Sequence, residues 1–185
     1  MRKLFLFMMI SLDGYFEGPD HDLSWHNVDA EFNDFAIEQT SNIDTLIFGR
    51  RTYEMMAGYW PTELAKKDDS VVAGLMNNTP KIVFSHTLNS APWQNTRLVK
   101  DNLAEEITTL KQQPGKDLAV FGSSNLCVSL VEQGLLDELR IMVNPVVLGK
   151  GTLLLQGLDQ KLPLKLTAEK LFKSGNVLLT YQITQ

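Results

Sequence analysis

The chain has little cysteine and no long apolar run. Cys127 is its single cysteine, which excludes an internal disulfide and a cysteine-cluster metal site. The three histidines, His21, His26 and His86, lack the helical pairing of a zinc site, so no metal is expected. No apolar run approaches the roughly 20 residues that a membrane-spanning helix needs. These absences predict a protein of the reducing cytoplasm that does not enter a membrane.

Positive charge is also scarce. Lys and Arg number 17 against 22 Asp and Glu, so the net charge is -5 over 185 residues. Such a surface does not attract nucleic acid as a whole, and any phosphate must bind at a local site. Apolar residues make up 44% and charged residues 21%, which is ordinary globular usage and excludes bulk disorder. The length suits one domain over residues 1–185.

Several familiar motifs are missing. The sequence Gly149-Lys150-Gly151 has no third glycine at the spacing of a G-x-G-x-x-G dinucleotide fingerprint. Neither Gly115-Lys116 nor Gly149-Lys150 belongs to a Walker phosphate loop. The chain contains no G-x-S-x-G nucleophile elbow and neither the H-x-E nor the P-C-x-x-C motif of a zinc deaminase. Four common enzyme architectures are thereby excluded.

Strands and helices are predicted to alternate along the chain. Short apolar runs predict strands, and apolar residues at helical spacing predict helices. The predicted strands cover residues 3–10, 44–48, 81–84, 118–121 and 139–143. The predicted helices cover residues 30–41, 50–57, 63–76 and 102–112, the last with an Asn102-x-x-Glu105 capping box, and a fifth helix ends at Gly134. Residues 165–183 are predicted to form a hairpin around residues 174–176.

This order predicts an α/β fold with a mostly parallel central sheet, helices on both faces and a C-terminal antiparallel hairpin. In such sheets ligands bind beyond the carboxyl ends of the strands. Two strand-to-helix turns, residues 47–52 and 120–126, lie there, each with a glycine followed by polar residues. Free N–H groups and the helix dipole can make such turns anion sites, although simple capping by Ser or Thr is the alternative. Two such turns, one with Arg50 and Arg51, favour a dinucleotide.

Six segments carry a further, collective signal through their order and spacing. They are residues 11–15, 49–54, 84–87, 121–126, 135–139 and 145–149. Together they make nearly the whole chain resemble the dihydrofolate-reductase-like superfamily. Within it, the closer likeness is to the C-terminal reductase domain of the bifunctional riboflavin-biosynthesis deaminase/reductase and its stand-alone relatives. The resemblance implies a dihydrofolate-reductase-like three-layer fold.

The resemblance also implies a binding site for NADPH. The first turn would face the pyrophosphate and the 2′-phosphate, the 85–86 turn would border the adenosine ribose, and the second turn would lie against the pyrophosphate and nicotinamide. In the second turn Ser123 replaces the latter of two glycines that are common in the family. The implied cofactor residues are Ile10, Gly49, Arg50, Arg51, Thr52, Ser85, His86, Gly122, Ser123, Ser124, Asn125 and Leu126.

The sequence says less about the residues that bind the substrate. The resemblance implies that Ser11, Trp25, Phe32 and Tyr53 line a substrate pocket, although aromatic residues on helix faces are more often core. Asp13 and Asp29 are the candidate catalytic carboxylates, for orienting the substrate or relaying a proton. The alternatives are a turn residue for Asp13, since Asp-Gly favours turns, and a helix N-cap for Asp29.

We therefore expect an NADPH-dependent reductase that transfers hydride to a small heterocyclic or sugar-like substrate. The resemblance points to 5-amino-6-(5-phosphoribosylamino)uracil reductase activity, with dihydrofolate as the runner-up substrate. A non-catalytic nucleotide-binding regulatory domain is the alternative of another class. A homodimer is also expected, from the resemblance and from the apolar residues of the 143–155 segment, which could instead fill the sheet edge.

Overall fold

The computed structural model describes residues 1–184, which form ten strands and six α-helices. The strands are β1 (Leu4–Ser11), β2 (Tyr15–Glu17), β3 (Ile43–Gly49), β4 (Lys81–Phe84), β5 (Thr96–Val99), β6 (Asp117–Phe121), β7 (Glu138–Asn144), β8 (Thr152–Leu153), β9 (Leu164–Leu171) and β10 (Val177–Ile183). The helices are α1 (Ala30–Ser41), α2 (Arg50–Tyr59), α3 (Glu63–Asp68), α4 (Ser70–Asn78), α5 (Leu103–Gln112) and α6 (Ser124–Glu132). None of these helices has both the length and the apolar composition that crossing a bilayer requires.

Eight strands form one mostly parallel sheet in the order β5-β4-β3-β6-β1-β7-β10-β9. Every pairing from β5 to β7 is parallel, whereas β10 runs antiparallel to β7 and to β9. The last two strands form the expected hairpin. The predicted fold class, a parallel sheet with a C-terminal antiparallel hairpin, is therefore confirmed.

The central strand β1 is covered on both faces, as its continuous apolar sequence predicts. Leu4 and Leu6 pack in a cluster with residues of α5 and α6. Phe5 and Met9 point to the opposite face, where their clusters include residues of α1, α2 and α4. Full burial of each such side chain contributes about 1.5–3 kcal/mol. The two-residue period of β1 thus produces the three-layer arrangement.

Two local predictions are wrong. Residues 63–76 were expected to form one helix, but the chain leaves helical geometry at Asp69, where φ is -152°. The Asp69 carboxylate caps α4 by accepting hydrogen bonds from the N–H groups of Val71 and Val72. The capping box at Asn102 is also absent, because Asn102 adopts a left-handed conformation with φ 61° and makes no side-chain cap hydrogen bond.

Three short strands were not predicted from the sequence. Strand β5 adds an edge beside β4, while β2 and β8 form a separate two-stranded sheet. Each of the three has four residues or fewer, too short to show a period of two. The small sheet joins the segment after β1 to the segment after β7, and it borders the carboxyl end of the main sheet.

Candidate functional site

The carboxyl ends of β3 and β6 bring the two glycine turns into contact. The two strands are neighbours in the sheet, so the turns that follow them lie side by side. The Gly49 N–H donates to Ser123 Oγ over 2.7 Å, and Ser123 Oγ donates to Thr52 Oγ1 over 2.9 Å. The turns therefore form one site.

Neither α2 nor α6 begins with a side-chain cap. Gly49 and Ser123 occupy their N-cap positions, and neither makes a side-chain cap hydrogen bond. In contrast, Asp29, Thr62 and Asp69 cap α1, α3 and α4. The simple-capping interpretation of the two turns is therefore wrong. N–H groups left unpaired in the first turn of a helix can bind an anion, which the helix dipole also favours.

The second turn has an unusual backbone. Gly122 has φ +76°, and the next residue, Ser123, has φ 67° and ψ 61°. The left-handed region costs a residue with a Cβ about 1–2 kcal/mol. Ser123 thus adopts a conformation suited to glycine, and its hydroxyl makes the two hydrogen bonds that join the turns.

The two arginines of the first turn differ in their surroundings. Arg50 Nε lies 3.0 Å from Glu54 Oε1, and its Nη1 donates to Thr87 Oγ1 over 3.0 Å. Arg51 is exposed, and among residues 1–184 its guanidinium has no hydrogen-bond or ion-pair partner. Arg51 is consequently available to an anion without the loss of another contact within residues 1–184.

The 85–87 turn follows β4 and lies beside the first turn. Ser85 is buried, and its Oγ accepts hydrogen bonds from the N–H groups of Thr87 and Leu88. His86 is exposed, with Nδ1 3.5 Å from Asp101 Oδ1. Sequence reasoning omitted Thr87 from the site, although it follows the two residues chosen there, and the structure shows it holding Arg50.

The remaining cofactor candidates differ in exposure. Asn125 is exposed and Ile10 is half-buried at the end of β1. Ser124 and Leu126 are buried, and Leu126 packs in the core beside Cys127. Burial raises the pKa of the Cys127 thiol to about 12, so this cysteine is inert filler, as its sequence position suggests.

Both oxygens of the Asp13 carboxylate accept hydrogen bonds. Its Oδ1 accepts from Ser11 Oγ over 2.7 Å and from the Leu148 N–H over 3.1 Å, while Oδ2 accepts from the Gly149 N–H over 2.7 Å. The hydrogen bond from Ser11, followed by those from the two backbone N–H groups, lowers the pKa of Asp13 to about 2. Asp13 thus remains ionised near neutral pH and braces the turn after β1 against the segment after β7, which argues against a proton-relay role.

Asp29 is the N-cap of α1, and this alternative reading of it is confirmed. Its Oδ1 accepts from the Phe32 N–H over 2.8 Å. Within residues 1–184 its second oxygen, Oδ2, has no hydrogen-bond partner. The catalytic role of Asp29 stays a prediction, and the position of its free oxygen at the start of α1 is compatible with it.

Two of the expected substrate residues are not on the surface. Ser11 is 0% exposed, and its hydroxyl is used by Asp13 and by the Tyr15 N–H. Tyr53 is 2% exposed, packs on Trp93 and accepts a hydrogen bond from the Trp93 N–H. We correct both assignments, because a substrate cannot reach these side chains in this conformation.

The segment that carries Trp25 lies over the other half of the carboxyl edge. Trp25 is half-buried, with its ring edge-on to His26 at 4.5 Å. The Asn27 N–H donates to Asn144 Oδ1 over 2.9 Å, which ties the segment to the end of β7. Phe32 is partly buried and packs against the cluster beneath α1. Asn27 and Asn144 were missed, since lone asparagines carry no sequence signal for such a link.

His26 is the least satisfied side chain in this segment. Burial lowers the pKa of His26 to about 4, against a smaller opposing effect of the Asp22 charge. Its Nε2 is buried without a hydrogen-bond partner among the described residues. The imidazole is therefore neutral at physiological pH.

Comparisons with known proteins identify the family of this chain. Residues 2–180 match the family model of the RibD C-terminal domain. The chain is 32% identical over 182 residues to YyaP, an uncharacterized protein of Bacillus subtilis (strain 168), with 97% of this chain and 94% of YyaP covered.

Solved structures share the fold. A diaminohydroxyphosphoribosylaminopyrimidine deaminase/5-amino-6-(5-phosphoribosylamino)uracil reductase from Thermotoga maritima is similar with a TM-score of 0.71 and 15% identity, over 99% of this chain and 57% of that one. The dihydrofolate reductase of Enterococcus faecalis complexed with NADP(H) is similar with a TM-score of 0.66 and 17% identity, over 99% and 97% of the two chains. The chain has the dihydrofolate-reductase-like fold and belongs to the family of the RibD C-terminal domain.

Proposed function

We propose that this protein is an NADPH-dependent reductase that transfers hydride to a small heterocyclic or sugar-like substrate. A phosphoribosylamino-pyrimidine is the first candidate substrate. The proposal rests on family membership and on the name of the Thermotoga maritima relative in fold, which includes 5-amino-6-(5-phosphoribosylamino)uracil reductase.

One observation carries the cofactor part of the proposal. Helices α2 and α6 open at the same edge of the sheet without side-chain caps, and Arg51 beside them is exposed and unpaired within residues 1–184. This donor set suits a group with several phosphates, because N–H groups at helix starts bind phosphate oxygens and Arg can bind a further phosphate bidentately.

The residues present fit NADPH. The N–H groups that open α2 and α6 and the Thr52 hydroxyl would hold the pyrophosphate, and Arg51 would hold the 2′-phosphate. Ile10 would lie beneath the nicotinamide at the end of β1. When bound, NADPH supplies the hydride.

The chain's own residues would position the substrate and handle the proton. Trp25 and Phe32 would wall the substrate pocket, since Asn27 ties the Trp25 segment to Asn144 at the end of β7 and Phe32 packs against the cluster that contains Met142. Asp29 keeps one free carboxylate oxygen for the proton, whereas Asp13 stays ionised and orders the neighbouring segments. Positioning and exclusion of water are what such a site contributes to hydride transfer.

The direct test is a titration of the pure protein with NADPH and with NADH, read by tryptophan emission. We expect NADPH to bind in the micromolar range and at least about tenfold more tightly than NADH, a difference of about 1.4 kcal/mol. NADPH oxidation at 340 nm would then be followed with phosphoribosylamino-pyrimidines and with dihydrofolate. No affinity for either nucleotide would refute the proposal.

A non-catalytic nucleotide-binding role is the second candidate, and the state of Asp13 favours it. The carboxylate after β1 is occupied by three hydrogen bonds, so Asp29 is the remaining candidate acid. A regulatory domain would bind NADPH without oxidising it. Oxidation that an Asp29→Asn variant loses, while its NADPH affinity is unchanged, would exclude this alternative.

The proposed assembly is a homodimer. The 143–155 segment divides its apolar residues, since Leu154 and Leu155 pack partly against the core whereas Val147 and Leu153 are exposed. Exposed apolar residues on a segment that borders the site are compatible with a subunit contact. Sedimentation as a monomer at micromolar concentration would contradict this expectation.

A further inference from the structure

The two glycine turns fit into each other reciprocally. A Cβ added at Gly49 would lie 3.1 Å from Ser123 Oγ, and a Cβ added at Gly122 would lie 3.0 Å from Thr52 Cγ2. Each turn therefore has a glycine where the other turn presents a hydroxyl side chain. The close approach means that the position of one turn depends on the side chain of the other.

The hydroxyls form a directed chain of hydrogen bonds. The Gly49 N–H donates to Ser123 Oγ, so the single hydroxyl hydrogen of Ser123 is available for Thr52 Oγ1. The hydrogen of Thr52 must then point elsewhere, and within residues 1–184 it has no acceptor. Because each bond polarises the next, the chain makes the Thr52 hydroxyl a better donor to an anionic oxygen.

Ser123 is the residue on which this chain depends. Its backbone adopts the left-handed conformation that glycine would occupy more easily. Glycine there would leave the Gly49 N–H without its acceptor and Thr52 without its donor. Serine therefore contributes its hydroxyl at this position, although glycine would suit the backbone conformation better.

We propose that Ser123 is a positioning residue that fixes the spacing of the two turns and directs the Thr52 hydroxyl to the pyrophosphate of a dinucleotide. This inference rests on the proposed function, because it assigns roles within the same cofactor site. Ser123 acts through Thr52, because the hydrogen bond that its Oγ accepts from the Gly49 N–H directs its own hydrogen to Thr52 Oγ1.

The test compares two ligands. NADPH carries both the pyrophosphate and the 2′-phosphate, whereas adenosine 2′-monophosphate carries only the latter. The Ser123→Ala variant should bind NADPH about fivefold more weakly, in the range of one neutral hydrogen bond, with unchanged affinity for adenosine 2′-monophosphate. Ser129→Ala, on the same helix outside the site, is the matched control and should change neither affinity.

A double-mutant cycle separates positioning from a general loss of structure. If Ser123 acts through Thr52, the Ser123→Ala/Thr52→Val protein should bind NADPH within twofold of Thr52→Val alone. Ser123→Gly is the second variant, since it removes the hydroxyl and also relieves the backbone. It should bind NADPH as weakly as Ser123→Ala does, and its unfolding temperature should be no lower than that of Ser123→Ala.

The outcomes distinguish this inference from the proposed function. If the unaltered protein does not bind NADPH, the proposed function fails and the role of Ser123 fails with it. If the unaltered protein binds NADPH and Ser123→Ala binds it equally well, only the role of Ser123 is overturned. Equal losses for both ligands, or additive losses in the cycle, would also overturn it.

Discussion

The charged side chains at the two ends of the parallel strands differ in how they are paired. At the amino end, charged side chains pair with one another. Arg2 pairs with Asp44, Lys111 Nζ lies 2.6 Å from Asp137 Oδ2, and Glu138 accepts from both Lys3 and Arg140. These pairs satisfy the charges of Arg2, Lys111 and Glu138 within the protein.

The carboxyl end also has exposed ion pairs, such as Arg50 with Glu54, but it leaves other donors unpaired among the described residues. Its helices α2 and α6 begin without side-chain caps, and Arg51 is unpaired among the described residues. The Asp13 carboxylate there accepts from N–H groups and a hydroxyl, so it neutralises no cation. We infer that the amino end mainly stabilises the fold, whereas the carboxyl end keeps hydrogen-bond donors unpaired among the described residues.

The largest effect is expected when an ion pair at the amino end is broken. Asp137→Ala leaves the buried Lys111 ammonium without its carboxylate, with the Leu135 carbonyl as its remaining acceptor, and leaves the Leu4 N–H without its acceptor. We expect the free energy of unfolding to fall by about 3 kcal/mol, measured by urea denaturation. NADPH affinity at 25 °C should not change.

A matched control is the exposed Asp34→Ala, which should stay within about 0.5 kcal/mol of the unaltered protein. A loss of less than about 1 kcal/mol in Asp137→Ala would remove the stabilising role of the amino end.

The next effect concerns His26 at the carboxyl end. Its pKa of about 4 in the folded protein lies below the ordinary 6.5, so the unfolded chain binds more protons between these values. Stability should therefore fall as the pH drops through this window, by about 2 kcal/mol between pH 7 and pH 5. Urea denaturation at the two pH values measures it, and His26→Gln should flatten the difference. An unchanged slope in that variant would assign the titration to other groups.

The third prediction concerns the cofactor's 2′-phosphate. Arg51→Gln should weaken NADPH binding about tenfold, the size of one charged contact at an exposed site, and should leave NADH binding within twofold. Because Arg51 has no partner within residues 1–184, the free energy of unfolding should not change. A loss shared equally by NADPH and NADH would place Arg51 away from the 2′-phosphate.

The smallest effect is expected for Arg50→Gln. The guanidinium of Arg50 already contacts Glu54 and Thr87, so a phosphate would have to replace those contacts. We expect NADPH affinity to fall only about threefold, because the new contact is offset by the lost ones. If the loss exceeds that of Arg51→Gln, the two arginines exchange their proposed roles.

Much of the fold was predictable because local patterns agree with the tertiary structure. Helix α1 and strand β4 have the predicted bounds, since their apolar spacing and flanking residues are unambiguous. The break at Asp69 was missed because an aspartate inside a helical pattern can be a cap or a surface residue. Only the backbone decides between them.

The position of the two glycine turns was predictable, and the contacts of the residues around them were less so. Gly49 at the end of β3 and Gly122 directly after β6 indicated the two turns, and both turns are at the carboxyl edge. Ser11 and Tyr53 were misassigned because burial depends on residues distant in sequence: Ser11 pairs with Asn144 in the sheet, and Tyr53 packs on Trp93. The link between Ser123 and Thr52 joins residues 71 positions apart, which no local pattern reports.

Hydrogen exchange with and without saturating NADPH tests most directly whether the carboxyl end is the cofactor site. We expect slower amide exchange in residues 49–52, 85–88 and 122–126, and unchanged exchange in residues 113–117 and 135–138 at the amino end. Protection confined to the amino end, or to the groove that Ala57, Gly74 and Trp93 line, would contradict it.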